Sequence, residues 1–312
     1  MRNPLISICI PAYNVARFIG ETLESIKNQS YLNWELIVVD DGSDDGTKNI
    51  VETFSKNVNQ QVRYFKNEIN KGPSATRNTA VSFAKGTWYA FLDGDDVWHE
   101  DHLKHLIKTA LDNPECDVIY SDLIYFFDDV NQPLFDIVKI VSDENLKNFP
   151  LSLYQQDFFI QPSTMMVSRK LYSKVGGFDE KYIFAEDFKF NLKCVEEGFK
   201  FAYTDQSTCR HRKHPDGFST NYFKMTHNHA IIFEDTISWN LFGISQKIRF
   251  KKAGNYWLST ARMAKKTDLE LSKKSIKKAM KYDFNFKTFF HFILISLLHF
   301  RQKKHTKIVA NN

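Results

Sequence analysis

The stretch Trp88-Tyr89-Ala90-Phe91-Leu92-Asp93-Gly94-Asp95-Asp96 decides the reading of this 312-residue chain. Five apolar residues in a row read as a strand buried on both faces. The run stops at three carboxylates within four residues. Such a cluster repels itself and needs a cation or open solvent to neutralise it. In an α/β sheet the carboxyl end of a strand is also where ligands bind. The expectation is a divalent metal held there for a phosphorylated substrate.

Around this stretch, short apolar runs alternate with helical patterns. Strands are expected at 5–10, 35–39, 62–65, 88–92, 118–121 and 163–168. Helices are expected from Asn14 onward and over 44–56, 74–84, 101–112, 169–175 and 184–198, with Gly198 as a C-cap. This alternation predicts an α/β fold, a mainly parallel Rossmann-like sheet flanked by helices. The aromatic stretch 121–160 carries no assignable period, and beyond about residue 225 the pattern is helical and basic. A division into 1–225 and a helical, basic C-terminal region 226–312 follows.

Five segments occur in a telling order: Ser7-Ile8-Cys9-Ile10-Pro11-Ala12-Tyr13-Asn14, Val38-Val39-Asp40-Asp41-Gly42-Ser43, Gly72-Pro73-Ser74-Ala75-Thr76-Arg77-Asn78, Phe91-Leu92-Asp93-Gly94-Asp95-Asp96, and Gly176-Gly177-Phe178-Asp179 with Glu186-Asp187. Together they resemble the family 2 inverting glycosyltransferases of GT-A fold, over about residues 5–220. The resemblance implies transfer of a sugar from a nucleoside diphosphate donor, of UDP type, to a hydroxyl of a glycan or lipid-linked acceptor. It places Asp41 on the base, with Pro11, Tyr13 and Asn14 lining the same pocket. Taken alone, Asp40 and Asp41 read as turn or helix-cap residues. Asp93-Gly94-Asp95 matches the family's DxD element, with Asp93 toward the ribose and Asp95 as ligand to Mg²⁺ or Mn²⁺. Arg77 adds charge-assisted bonds on the donor side.

Inversion needs one base opposite the leaving group. The Glu-Asp motif gives that role to Asp187, with Glu186 as the fallback; an acidic helix start is the alternative reading. In Arg210-His211-Arg212-Lys213-His214, placed after the sheet region, Arg212 and His214 fit an Arg-x-His pair closing over the diphosphate, with His214 completing the metal shell. A solvated surface loop is the alternative. Two rival functions remain at this level. A sugar-nucleotide pyrophosphorylase is expected to carry a Gly-rich basic loop where Pro11-Ala12-Tyr13-Asn14 stands. A non-catalytic nucleotide-sugar-binding partner would keep donor binding without turnover.

The charge is uneven. Residues 1–245 carry a net −9 and residues 246–312 a net +14, so the tail is suited to an anionic surface. On 269–281, Leu269, Ile276 and Met280 share a helical face that Ser272 and Lys273 interrupt. The apolar run 289–300 is shorter than the roughly 20 residues that span a bilayer. With Lys and Arg around it, 269–304 reads as an interfacial helix on anionic lipid. A helix packed on the catalytic domain or on a second copy, in a homo-oligomer, is the alternative. Nucleic acid is not expected, because aromatic and basic residues are segregated. Four scattered cysteines suggest neither a zinc site nor a disulfide framework. The N-terminal apolar stretch is too short for a signal-peptide core. The expected location is cytoplasmic, peripheral at the inner face of the membrane.

Overall fold

A computed structural model describes residues 3–127, 141–215 and 217–310, with the backbone alone for Ser219 and 301–310. The chain divides into two compact units, Met1–Gly217 and Phe218–Asn312.

The first unit begins β1 (Ile6–Ala12), α1 (Ile19–Lys27), β2 (Trp34–Asp40), α2 (Thr47–Ser55), β3 (Val62–Lys66), α3 (Pro73–Ser82) and β4 (Trp88–Phe91). It continues β5 (Val97–Trp98), α4 (His102–Asp112), β6 (Cys116–Phe127), α5 (Asp143–Lys147), α6 (Leu151–Gln155), β7 (Met165–Ser168), α7 (Arg169–Val175), α8 (Glu186–Glu196) and β8 (Lys200–Lys213). Among the described residues these strands form one sheet in the order β3-β2-β1-β4-β7-β6-β8-β5. β3, β2, β1 and β4 pair in parallel, as does β6 with β8, whereas β7 and β5 run antiparallel to their neighbours. The sheet is thus more mixed than the alternation predicts.

Ile6, Ile8 and Ile10 point to one side of the sheet with Leu36 and Val38, and Cys9, Ile37 and Val39 to the other. Both faces are covered by helices, which is why these strands read as unbroken apolar runs. All four cysteines are free and buried.

Other expectations change as well. The helix expected from Asn14 starts at Ile19, because Asn14 takes a left-handed φ of 51° and its N–H donates to Ser43 Oγ at 2.8 Å. The strand expected at 118–121 runs on to Phe127; residues 128–140 of the unassigned stretch lie outside the described residues. Residues 210–213 do not follow the sheet: they are the end of β8, between β6 and β5.

The turn at Gly176-Gly177-Phe178 is built against α3. Asn78 Oδ1 accepts from Tyr172 Oη at 2.6 Å and from Phe178 N–H at 2.9 Å, and its Nδ2 donates to Phe178 O at 2.8 Å. A Cβ on Gly177 would sit 2.5 Å from Asn78 Oδ1, at a φ of +82°. Gly177→Ala is therefore expected to cost about 2–3 kcal/mol in a denaturant-unfolding measurement, from strain and the displaced Asn78 together.

The second unit holds α9 (Tyr222–Asp235), α10 (Gln246–Ala264), α11 (Leu269–Tyr282) and α12 (Phe286–Ala310). The 225/226 boundary falls inside α9. Ala230, Trp257, Leu258, Ala261, Ile276, Ala279 and Ile295 form its core. Ser272, read as a break in the apolar stripe of α11, is fully buried instead, and its Oγ donates to Ala261 O at 2.7 Å. Small residues on both helices allow that approach. Among the described residues no helix is long and apolar enough to cross a membrane.

Candidate active site

Because β1, β2 and β4 are parallel, their carboxyl ends at Ala12, Asp40 and Phe91 lie on one sheet edge. The segments that follow, Tyr13-Asn14, Asp41 and Asp93-Gly94-Asp95-Asp96, are thereby brought together. Tyr13 is exposed, and Pro11 is half-buried. Gly94 is packed closely: a Cβ there would lie 3.0 Å from Val15 Cγ2, and its carbonyl accepts from Thr22 Oγ1 at 3.1 Å.

Asp41 is buried, with its carboxylate largely engaged. Oδ1 accepts from Asn67 Nδ2 at 2.7 Å and Lys71 N–H at 2.9 Å, and Oδ2 from Gly72 N–H at 2.8 Å. It fixes the 67–72 loop, so a base N–H reaching it would share an oxygen with the backbone.

The three acids of the cluster have different surroundings. Asp96 is fully buried and pairs with His211 Nδ1 at 3.1 Å and with Arg212 N–H at 3.0 Å. Burial opposes its charge, but these partners hold its carboxyl below the usual carboxylate range, and Asp96 in turn raises His211 against its own burial. Asp93 pairs with Arg77 at 2.6 Å, and its N–H donates to Ser163 Oγ at 3.0 Å. Asp95 meets His214, with Oδ2 and Nε2 3.0 Å apart. The His214 ring leans on Phe18, and its buried Nδ1 has no hydrogen-bond partner among the described residues.

Arg212 is more enclosed than a diphosphate clamp would be. It is buried between the Phe18 and Phe126 rings, pairs with Glu21, and donates from Nε to Asp95 O at 2.9 Å. It supports the backbone of the acidic loop.

Arg77 links the two halves of the site. Only 3 % exposed, it sits between Asp93, at 2.6 Å from Nη2, and Glu186, at 2.7 Å from Nη1, above the Phe178 ring. Glu186 and Asp187 open α8 after Ala185, whose φ is +58°. Glu186 is committed to Arg77. Asp187 is half-buried and, among the described residues, pairs with no cation; its Oδ1 accepts from Phe188 N–H at 2.8 Å. Burial first, and then the Glu186 charge beside it, push the Asp187 carboxyl up to about 7. A carboxylate near neutrality and not locked in an ion pair can take up a proton at working pH. Of the supporting residues, Glu21 and Ser163 carry no sequence signal, whereas Asn78, Asp96 and His211 stand in the motif stretches above.

Among the described residues no three His, Cys, Asp or Glu side chains converge on a metal position. Asp95 and His214 do present one oxygen and one nitrogen at the spacing of neighbouring ligands, 3.0 Å. That set fits Mg²⁺ or Mn²⁺, which typically takes one or two protein ligands and completes its shell with substrate phosphate and water.

Residues 7–176 match glycosyl transferase family 2. A glycosyltransferase of Haemophilus influenzae is 31% identical over 227 residues, 72% of this chain and 85% of its own. The Escherichia coli UDP-Glc:alpha-D-GlcNAc-diphosphoundecaprenol beta-1,3-glucosyltransferase WfgD is 40% identical over 113 residues, 36% of this chain and 44% of its own. In fold, the chain resembles Staphylococcus aureus TarS 1-349 in complex with UDP-GlcNAc, with a TM-score of 0.68 and 20% identity over 96% of this chain and 87% of that one. It also resembles the Pyrobaculum calidifontis mannosyltransferase PcManGT in complex with GDP-Man and Mn2+, with a TM-score of 0.61 and 16% identity over 94% and 88%. With the family matched over more than half its length, this chain belongs to glycosyl transferase family 2 and is a glycosyltransferase of GT-A fold.

Proposed function

We propose that the protein transfers one sugar, with inversion at the anomeric carbon, from a UDP-sugar to a hydroxyl of a glycan or lipid-linked acceptor in bacterial surface polysaccharide synthesis, and that it works peripherally at the inner face of the membrane. One observation carries this reading: Arg77 ties Asp93 to Glu186, setting the acidic loop of the donor side next to the carboxylate of Asp187. Asp187 is the general base that takes the acceptor hydroxyl proton as the oxygen attacks the sugar, and Glu186 serves to position it. Tyr13, Pro11, Asn14 and Asp41 form the wall for the nucleoside, and Asp93 with Gly94 faces the ribose. Asp95 and His214 hold Mg²⁺ or Mn²⁺, which when bound supplies counter-charge to the departing diphosphate. Arg212 acts on the donor through the loop backbone it holds. The UDP-linked donor and diphosphoundecaprenol acceptor in the name of WfgD support the choice of substrates.

Thermal melting with UDP and Mn²⁺ tests the donor side. Saturation at about 100 times Kd is expected to stabilise the fold by about 2.7 kcal/mol, with the larger part lost on chelation. Asp95→Asn is expected to lose that metal-dependent part and keep the rest. No melting shift with any nucleotide sugar under any metal condition would overturn the proposal.

A further inference from the structure

α12 has one buried face and one exposed apolar face. The buried face, with Thr288, Phe292, Ile295 and His299, turns toward the second unit, where Ile295 is fully buried in the apolar core. The other carries Phe286, Phe290, Ile293, Leu297 and Phe300, spaced 4, 3, 4 and 3 residues apart, which keeps them in one line along the helix. These five are 85, 53, 44, 56 and 70 % exposed. An unbroken row of five large side chains left to solvent marks a surface that another phase or molecule covers.

Charge selects the occupant. From Phe284 to Asn312 the sequence holds five Lys and Arg and no Asp or Glu. Lys287, in the first turn of α12, is exposed beside the row. Two copies of this helix laid face to face would bring its like charges together with no acid of the helix itself to offset them. An anionic lipid surface complements both features: the Phe and Leu side chains enter the boundary between headgroups and acyl chains, and the cations meet the phosphates.

We propose that the Phe286-Phe290-Ile293-Leu297-Phe300 row is the surface by which the protein lies on an anionic lipid bilayer, with α12 parallel to the membrane plane. The inference deepens the peripheral location proposed above. It is tested without donor or acceptor, so its failure is separable from failure of the transfer reaction, which UDP release reads independently.

The experiment is flotation of the full chain with vesicles of phosphatidylglycerol and phosphatidylcholine, against phosphatidylcholine alone. The protein is expected to float with the anionic vesicles, with about tenfold weaker binding on raising salt from 0.05 to 0.5 M. Phe290→Glu with Leu297→Glu is expected to weaken binding roughly 30-fold or more. Phe286→Glu with Phe300→Glu, at the two most exposed positions, is a second variant that leaves the bundle core untouched and is expected to act in the same direction. No flotation with anionic vesicles overturns the proposal, as does flotation unchanged in both folded variants. A wild-type dimer in sedimentation that both variants dissociate, with vesicle binding unchanged, assigns the row to a second copy and also overturns it.

Discussion

Asp187→Asn is expected to lower the rate of sugar transfer by about 10²–10⁴-fold, with donor binding within a few-fold of wild type. The amide keeps the shape and the hydrogen bond from Phe188 N–H but cannot accept a proton from an attacking hydroxyl. Burial and the Glu186 charge push the Asp187 carboxyl up to about 7, which fixes the pH dependence. Below that value the base carries a proton, so log kcat should rise with unit slope as pH increases and level off above about 7. The same shift has a stability consequence of known sign. In the unfolded chain Asp187 ionises near its ordinary value, so the folded state binds more protons between there and about 7, and stability falls as pH rises through that window. The asparagine variant escapes this loss and should be more stable than wild type at pH 8, by ~2 kcal/mol for a half-buried group. A variant that loses activity while gaining stability separates a chemical role from a structural one. Transfer that persists in Asp187→Asn within tenfold of wild type would remove the base from this position.

The first half of the sheet was legible because burial on both faces leaves a plain mark. Ile6–Ala12, Trp34–Asp40 and Trp88–Phe91 are apolar runs with acids or turn residues at their ends. Three of the five motifs run across those ends, so placing the strands placed their part of the candidate site. β8 left no such mark. Lys200–Lys213 has the polar sequence KFAYTDQSTCRHRK, and it is held inside the sheet by pairs that close only in three dimensions. Arg212 meets Glu21 across 191 residues, and His211 meets Asp96 across 115. A sequence window sees unpaired charge at 210–214 and leaves a surface loop open as the alternative. α11 failed in the opposite way: Ser272 reads as polar, but a small hydroxyl that can donate to Ala261 O fits a close helix crossing. That Glu186 is held in an ion pair was likewise invisible in one dimension. The partner that occupies Glu186, Arg77, is 109 residues away.

That partner gives the second large effect. Arg77→Met is expected to destabilise the fold by about 3–5 kcal/mol, because it leaves Asp93 and the buried Glu186 facing each other without their shared cation. Arg77→Lys should recover only part of this, since a single ammonium cannot form the two-ended bridge of a guanidinium. Adding Glu186→Gln to Arg77→Met removes one of the stranded charges and should restore stability above that of Arg77→Met alone. A double-mutant cycle reads the coupling in denaturant unfolding. Activity should not return with stability, because Asp93 still lacks its anchor to α8 and the donor loop is no longer set against Asp187. The pH profile offers a check independent of folding. Arg77 lowers the Asp187 carboxyl and Glu186 raises it. The kcat inflection should therefore move above 7 in Arg77→Met and below 7 in Glu186→Gln, with each variant assayed where it is folded. Unchanged melting and an unchanged inflection in Arg77→Met would mean that the bridge neither holds the two loops together nor tunes the base.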